Sequence, residues 1–409
     1  MKKVLALALG VLTAIGGFVD IGDLVANGLV GARFGMTLAW ATIIGVIGIC
    51  VFAEMSGRVA AVTHRAVFDL VRERLGPRAG LLNLVASMLV TLLTLCAEIG
   101  GVALAIELAT SVNYLLLVPV VGFAVWLIVW RVRFSTLENV FGLAGLALVV
   151  FGVALWKLGP DWGDLAHQMV VPRKPGSESS ATYFYYAIAL FGAAMTPYEV
   201  FFFSSGAVEE KWTANDIGTV RSNTFVGFPL GALLSLAIAG CATVVLKPRG
   251  IEVDSLAQLG LPIALAAGKL AVAFAIIGFV AATFGAALET SLSFGYSISQ
   301  YFGWQWGKYV RPREAARFHL VVLLAIMTGV AVILTTVDPV KVTEYSIVFS
   351  AVALPLTYFP ILVVANDSDY MGEHVNKRLA NTLGVIFLGV IMVAAVAAVP
   401  LMLWTKAGQ

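Results

Sequence analysis

Gly16-Gly17-Phe18-Val19-Asp20-Ile21-Gly22-Asp23 lies in the middle of the first apolar segment of this chain, and Ala194-Met195-Thr196-Pro197-Tyr198-Glu199 occupies the corresponding place in the sixth. A carboxylate in a bilayer interior costs several kcal/mol, so it persists there only for a purpose. Two acids flanking a glycine, answered by a second, Pro-interrupted segment that also carries an acid, mark a place built for a cation.

The surrounding composition is that of a membrane protein. Hydrophobic residues make up 60% of the 409 residues and charged residues only 12%, about half the usual share for a soluble domain. Apolar runs long enough to cross a bilayer predict eleven transmembrane helices, at 4–30, 36–56, 80–108, 114–129, 137–156, 182–205, 225–246, 270–301, 318–335, 346–365 and 382–403. The first run resembles a signal peptide in following Lys2-Lys3, but it continues past Asp20 to Val30 and is read as a retained helix.

Positive charge sets the expected orientation. With the N-terminus cytoplasmic, Arg58, Arg65, Arg72, Arg74, Arg78, Arg131, Arg133, Arg221, Lys308 and Arg311 all fall on the cytoplasmic side, and an odd number of spans leaves the C-terminus outside. The expected location is a plasma (inner) membrane, with lipid as the surroundings and no obligate protein partner evident.

Other classes are poorly supported. A net charge of +2 with basic residues explained by topology argues against nucleic-acid binding. Cys50, Cys96 and Cys241 sit inside apolar runs, without a CxxC or His-Cys cluster, and read as small core residues. No nucleophile-base constellation, phosphate loop or cofactor motif appears, so the chain is expected to be no enzyme and to carry no cofactor, a cation being its substrate.

The polar stretch 158–181, with Pro160, Pro172, Pro175 and Ser177 to Ser180, is the midpoint break. It divides a first five-helix unit, 1–157, from a second, 182–365, with an additional helix at 378–405. Each unit begins with a helix interrupted by Gly or Pro beside an acid, the pattern of an inverted repeat with its site at the two breaks. Unwinding there frees backbone groups for a cation, so the carbonyls of Gly17 and Ala193 are candidate ligands beside Asp20, Asp23, Thr196, Tyr198 and Glu199. Asp23 can equally cap the second half-helix, Thr196 can bond its own helix, and Glu199 can face the cytoplasmic vestibule. Glu289 is a further intramembrane acid without an evident role, and Phe201-Phe202-Phe203 reads as packing.

These stretches carry a resemblance. Asp20-Ile21-Gly22-Asp23, followed by Gly31-Ala32-Arg33-Phe34-Gly35, is similar to the Asp-Pro-Gly-Asn segment of the Nramp family of divalent metal transporters. Ser56-Gly57-Arg58 with Val62-Thr63-His64-Arg65, then Ala97-Glu98-Ile99-Gly100, resemble stretches after and within its second and third helices, and Met195-Thr196-Pro197-Tyr198-Glu199 resembles its Met-Pro-His-Asn segment. Leu354-Pro355 and Asn366-Asp367-Ser368-Asp369-Tyr370-Met371-Gly372 look like its tail. Short singly, the motifs are collinear over nearly the whole chain.

The resemblance implies an all-α integral membrane protein of LeuT type, a 5+5 inverted repeat with helices one and six broken around a metal site. The chain looks like a divergent member, similar to the Nramp-related magnesium transporters. Indexed on Pro197, the family's metal-binding Met becomes Thr196, its helix-one Asn becomes Asp23, its Pro-His-Asn reads Pro197-Tyr198-Glu199, and a helix-ten Gln becomes Ala353. Losing a thioether and gaining carboxylate shifts Asp20, Asp23 and Glu199 toward a hard ion, Mg²⁺ or Mn²⁺, held through few protein ligands and some water.

The family's proton route keeps Glu98 as a coupling candidate, but its acidic partner reads Leu95 and its His reads Phe203, so coupling is expected to be weak or absent. Glu98 is alternatively a charge that stabilises Arg317 or another helix-nine cation. The competing substrate is a small organic cation such as guanidinium, paired with the carboxylates and stacked on Tyr198; the third reading is a membrane sensor or scaffold on the same fold.

Overall fold

The computed structural model describes residues 2–176 and 178–408. The side chains of residues 2–7 and 9 lie outside that description, including those of Lys2 and Lys3 on which the orientation partly rests, as does Ser177. The described residues are helical, without a strand.

The first span is two half-helices, α1 (Lys2–Gly17) and α2 (Ile21–Phe34), separated by non-helical backbone at Val19 and Asp20. Next come α3 (Ala39–Thr63), the short α4 (Val67–Leu75), α5 (Pro77–Thr110) and α6 (Tyr114–Arg131). The fifth span is α7 (Phe134–Gly145) continued by α8 (Val149–Leu158), and α9 (Trp162–Val170) crosses the polar midpoint. The sixth is again broken, into α10 (Ser180–Ala194) and α11 (Pro197–Glu209). There follow α12 (Ile217–Ser222), α13 (Phe228–Val245), α14 (Leu256–Phe302), α15 (Ala316–Leu334), α16 (Pro339–Ala365), α17 (Ser368–Met371) and α18 (Arg378–Trp404).

Ten helical stretches among these residues are long and apolar enough to cross a membrane, against the eleven expected. The difference lies at the front: α1 has 16 residues and is too short alone, while residues 21–63 run on as one stretch through a 3₁₀ turn. Gly35 at φ 73° turns the chain between α2 and α3, so the first and second expected spans are both present. The midpoint, expected to be a polar loop, instead holds α9, capped by Asp161 through the amides of Gly163 and Asp164. Gly268, with φ 75° and ψ −170°, bends α14 so that a short arm precedes the membrane helix.

The long helix α5 packs on α14, α15 and α16, α14 also packs on α15, and α1, α2, α3, α10, α11 and α13 fill the space beside them. Close backbone crossings fix the broken span. A Cβ on Gly16 would lie 1.7 Å from the carbonyl oxygen of Gly142 in α7, so only glycine permits that approach. Phe201 packs on Phe68 and Phe202 on Phe134, as expected of core aromatics.

The loops sort into two ends. At one, Arg33 donates to both carboxylate oxygens of Glu178 at 2.6 and 3.0 Å and to the carbonyl of Gly408, so the midpoint segment and the C-terminal residues share an end. At the other, buried Arg58 donates to Glu54, to the carbonyl of His374 and to Asn376, and Arg221 joins through Glu54.

Candidate metal site at the two helix breaks

The start of α2 is where the first break acquires its chemistry. Asp20 has extended backbone, and its Oδ1 accepts the amide hydrogen of Asp23 at 2.8 Å, so Asp20 is the N-cap of the second half-helix. This corrects the expectation for Asp23, which instead sits in the first helical turn with its carboxylate uncommitted to the cap. Asn27, one turn on, donates to Asp23 Oδ1 at 3.3 Å and to its carbonyl at 3.0 Å. The (i, i+4) spacing was the available signal for Asn27, and the sequence reading missed it.

Two residues from other helices reach the same point. Tyr198, in the first turn of α11, donates its hydroxyl to Asp20 Oδ2 at 3.2 Å. Glu98, on α5 and fully buried, accepts the amide hydrogen of Ile21 at 3.2 Å through Oε1, while its Oε2 has no hydrogen-bond partner. Glu98 therefore does not stabilise Arg317, whose guanidinium lies over the Trp304 ring at 5.3 Å. Two carboxylates thus meet the amide end of one half-helix, where the helix dipole favours negative charge.

The second break is made differently. Thr196 has extended backbone and no capping hydrogen bond, and Pro197 takes the first helical position, where its missing donor is harmless. The Thr196 hydroxyl reaches Glu199 Oε2 at 3.5 Å rather than bonding a carbonyl of its own helix. Carbonyls beyond the break are taken up by neighbours: Ser293 donates to Tyr198 O at 3.0 Å and Ser56 to Val200 O at 2.7 Å. Met195 is fully buried against Gly48 of α3, where a Cβ on that glycine would lie 2.8 Å from its sulfur and 2.9 Å from Phe387 of α18. Its thioether is thus committed to packing.

Asp20, Asp23, Thr196 and Tyr198 are all buried around the two breaks, with Gly17 and Ala193 at the ends of the first halves. Glu199 turns elsewhere: it lines a small cavity with Gly17, Glu138 and Glu289. Among the described residues no three His, Cys, Asp or Glu side chains stand close enough together to hold a metal ion, so Asp20, Asp23 and Glu199 do not form a ready three-carboxylate cage. A wide cavity of about 660 Å³ opens at the other end, lined by Arg33, Glu178, Glu252, Asp254 and Glu344.

Two interrupted helices that meet beside a frame of long ones are the architecture of the LeuT fold. The chain belongs to the Nramp family: residues 10–400 match the family model described as natural resistance-associated macrophage protein-like. It is thereby a transporter of the divalent-metal class, and no enzyme. Among solved structures, a mutant of the manganese transporter from Eremococcus coleocola superposes with TM-score 0.75 at 17% identity, covering 98% of this chain and 93% of that one. A nucleobase-cation-symport-1 family transporter gives 0.60 at 15% identity over 97% and 92%. A Na⁺-coupled sialic acid symporter gives 0.61 at 12% over 95% and 89%.

Proposed function

We propose that this chain carries a hard divalent cation, Mg²⁺ or Mn²⁺, into the cell by alternating access, with little or no coupling to protons. The observation that carries the reading is the first break: Asp20 and Asp23, both buried, one turn apart, with the Met195 thioether packed against α3. Oxygen donors without thioether suit hard ions, and Mg²⁺ in particular keeps part of its water, which fits a site with few converging carboxylates. Asp20, Asp23 and the carbonyls of Gly17 and Ala193 are the proposed ligands, with Thr196 and Tyr198 lining the site and Glu199 reaching the ion only through water or a side-chain swing.

Weak coupling rests on Leu95 and Phe203, apolar residues where the family's proton route has an acid and a histidine; Glu98 remains, tied to the Ile21 amide. In this reading residues 1–157 and 182–365 are the two inverted units and 378–405 an addition, the Arg58 end faces the cytoplasm, and the protein resides in the plasma membrane.

The test is uptake into proteoliposomes of Mg²⁺, Mn²⁺, Ca²⁺, Cd²⁺ and guanidinium with an internal pH dye. Mg²⁺ and Mn²⁺ flux without acidification, lost in Asp20→Ala, is the expected result. Guanidinium flux without metal flux would sink it and favour the organic-cation reading, in which the Tyr198–Asp20 pair is the recognition element.

A further inference from the structure

The small cavity beside the first break is not accounted for by Asp20 and Asp23. It measures about 50 Å³, room by volume for an ion, and it is lined by carboxylates from three spans: Glu138 of α7, Glu199 of α11 and Glu289 of α14. Glu289 lies closest to the break, because a Cβ on Gly17 would stand 3.7 Å from its Oε1. No Arg, Lys or His lines this cavity, and its other walls include Phe203 and Phe228. Glu138 also shares a hydrogen bond with Glu210, while Glu199 and Glu289 have no cationic side chain beside them in the cavity, a demand that a bound cation meets.

An independent observation points the same way. Asn223 also lines the cavity, is only 5% exposed, and its Oδ1 has no hydrogen-bond partner. An orphaned amide oxygen of this kind is costly and needs a donor or an ion. Asn223 opens a π-helical turn, Asn223–Gly227, between α12 and α13, an irregularity that is rare and found mostly at functional sites.

We propose that Glu138, Glu199, Glu289 and Asn223 form a second cation site, on the α1 side of the break, where the transported divalent ion is held after leaving Asp20 and Asp23. The inference rests on the divalent-metal reading above. All four donors are oxygen, the charge demand exceeds a single positive charge, and the end of α1 at Gly17 presents the carbonyl, negative end of a half-helix to the same space. The three carboxylates do not already converge to coordination distance, so ion arrival draws their side chains inward.

Counting bound ions separates the two sites. Purified protein in detergent is titrated with Mn²⁺ and the free ion read by electron paramagnetic resonance, for wild type, Asp20→Ala, Glu289→Gln and Asn223→Ala, each checked for monodispersity. Two ions per wild-type chain, falling to one in Asp20→Ala and one in Glu289→Gln, with the weaker of the two affinities reduced several-fold in Asn223→Ala, is the expected result. A single wild-type ion that survives in Glu289→Gln overturns the second site and leaves the first standing. A single ion lost in Glu289→Gln but kept in Asp20→Ala supports this site and overturns the first. If Glu289→Gln does not yield folded protein, Glu138→Gln and Asn223→Ala carry the same count, and wild-type stoichiometry and affinity in both would overturn the proposal.

Discussion

The breaks in the first and sixth spans look alike in outline and are built by opposite means. At the first, a side chain makes the break: Asp20 caps α2, Glu98 takes the next free amide, and no proline is present. At the sixth, proline makes it: Thr196 offers no cap, Pro197 begins α11, and the Tyr198 and Val200 carbonyls in its first turns also accept from Ser293 and Ser56 on neighbouring helices. The first break therefore gathers acceptors around Asp20, and the second turns its own acid, Glu199, toward the small cavity while aiming Tyr198 at the first. In the proposed function the cation is recruited at the first and positioned by the second.

The sharpest way to break this comparison is to separate the cap from the charge at Asp20. Asn caps helices about as well as Asp, whereas Ala forfeits about 1 kcal/mol. Asp20→Asn is expected to retain the melting temperature and lose metal uptake to the level of empty liposomes, and Asp20→Ala to lose both. Uptake retained in Asp20→Asn would reduce Asp20 to a capping residue. Next in size is Tyr198→Phe, which removes the hydrogen bond joining the two breaks; losing a hydrogen bond to a buried carboxylate costs about 1–2 kcal/mol, read as a roughly tenfold weaker apparent affinity for Mn²⁺. Smaller again is Asn27→Ala, which frees Asp23 without touching the cap and is expected to shift affinity only several-fold, at unchanged stability of α2. Equal effects of Asn27→Ala and Tyr198→Phe would mean that the two breaks are not specialised as described.

Much of this arrangement was legible in the sequence because acids inside apolar runs are conspicuous. Asp20, Asp23 and Glu199 announced both breaks, and Pro197 fixed the second to the residue. What stayed hidden was decided within a single helical turn. Whether Asp20 or Asp23 caps α2 depends on which one has extended backbone, and whether the Met195 sulfur faces the site or α3 depends on one step of rotation. Glu98 was read against a distant cation, since an amide of a broken helix leaves no mark in the residue string. The helix α9 escaped for another reason: its nine residues are short and lie between prolines, so polar composition outweighed the Asp161 cap. Glu138 and Asn223 are far apart in sequence from Glu289, and only the packing of α1 between α7 and α14 gathers them.

An acid away from both breaks calibrates how much of any effect at Asp20 is simple burial. Asp69 lies in α4, in the connection between the second and third spans, where burial pushes its carboxyl up to about 6 despite the neighbouring Arg65 and Arg72. Its folded pKa is above the ordinary carboxylate value, so the folded state holds the proton more tightly than the unfolded one, and stability falls as pH rises from about 4 to about 6. Asp69→Asn removes this dependence: it is expected to leave the melting temperature unchanged near pH 4, to raise it slightly above pH 6, and to leave metal uptake untouched at either pH. Melting curves of wild type and variant at the two pH values check the first part, and uptake at the same two pH values the second. A fall in uptake would show that the α4 connection takes part in transport, and that the acids at the two breaks do not exhaust the working acids of this chain.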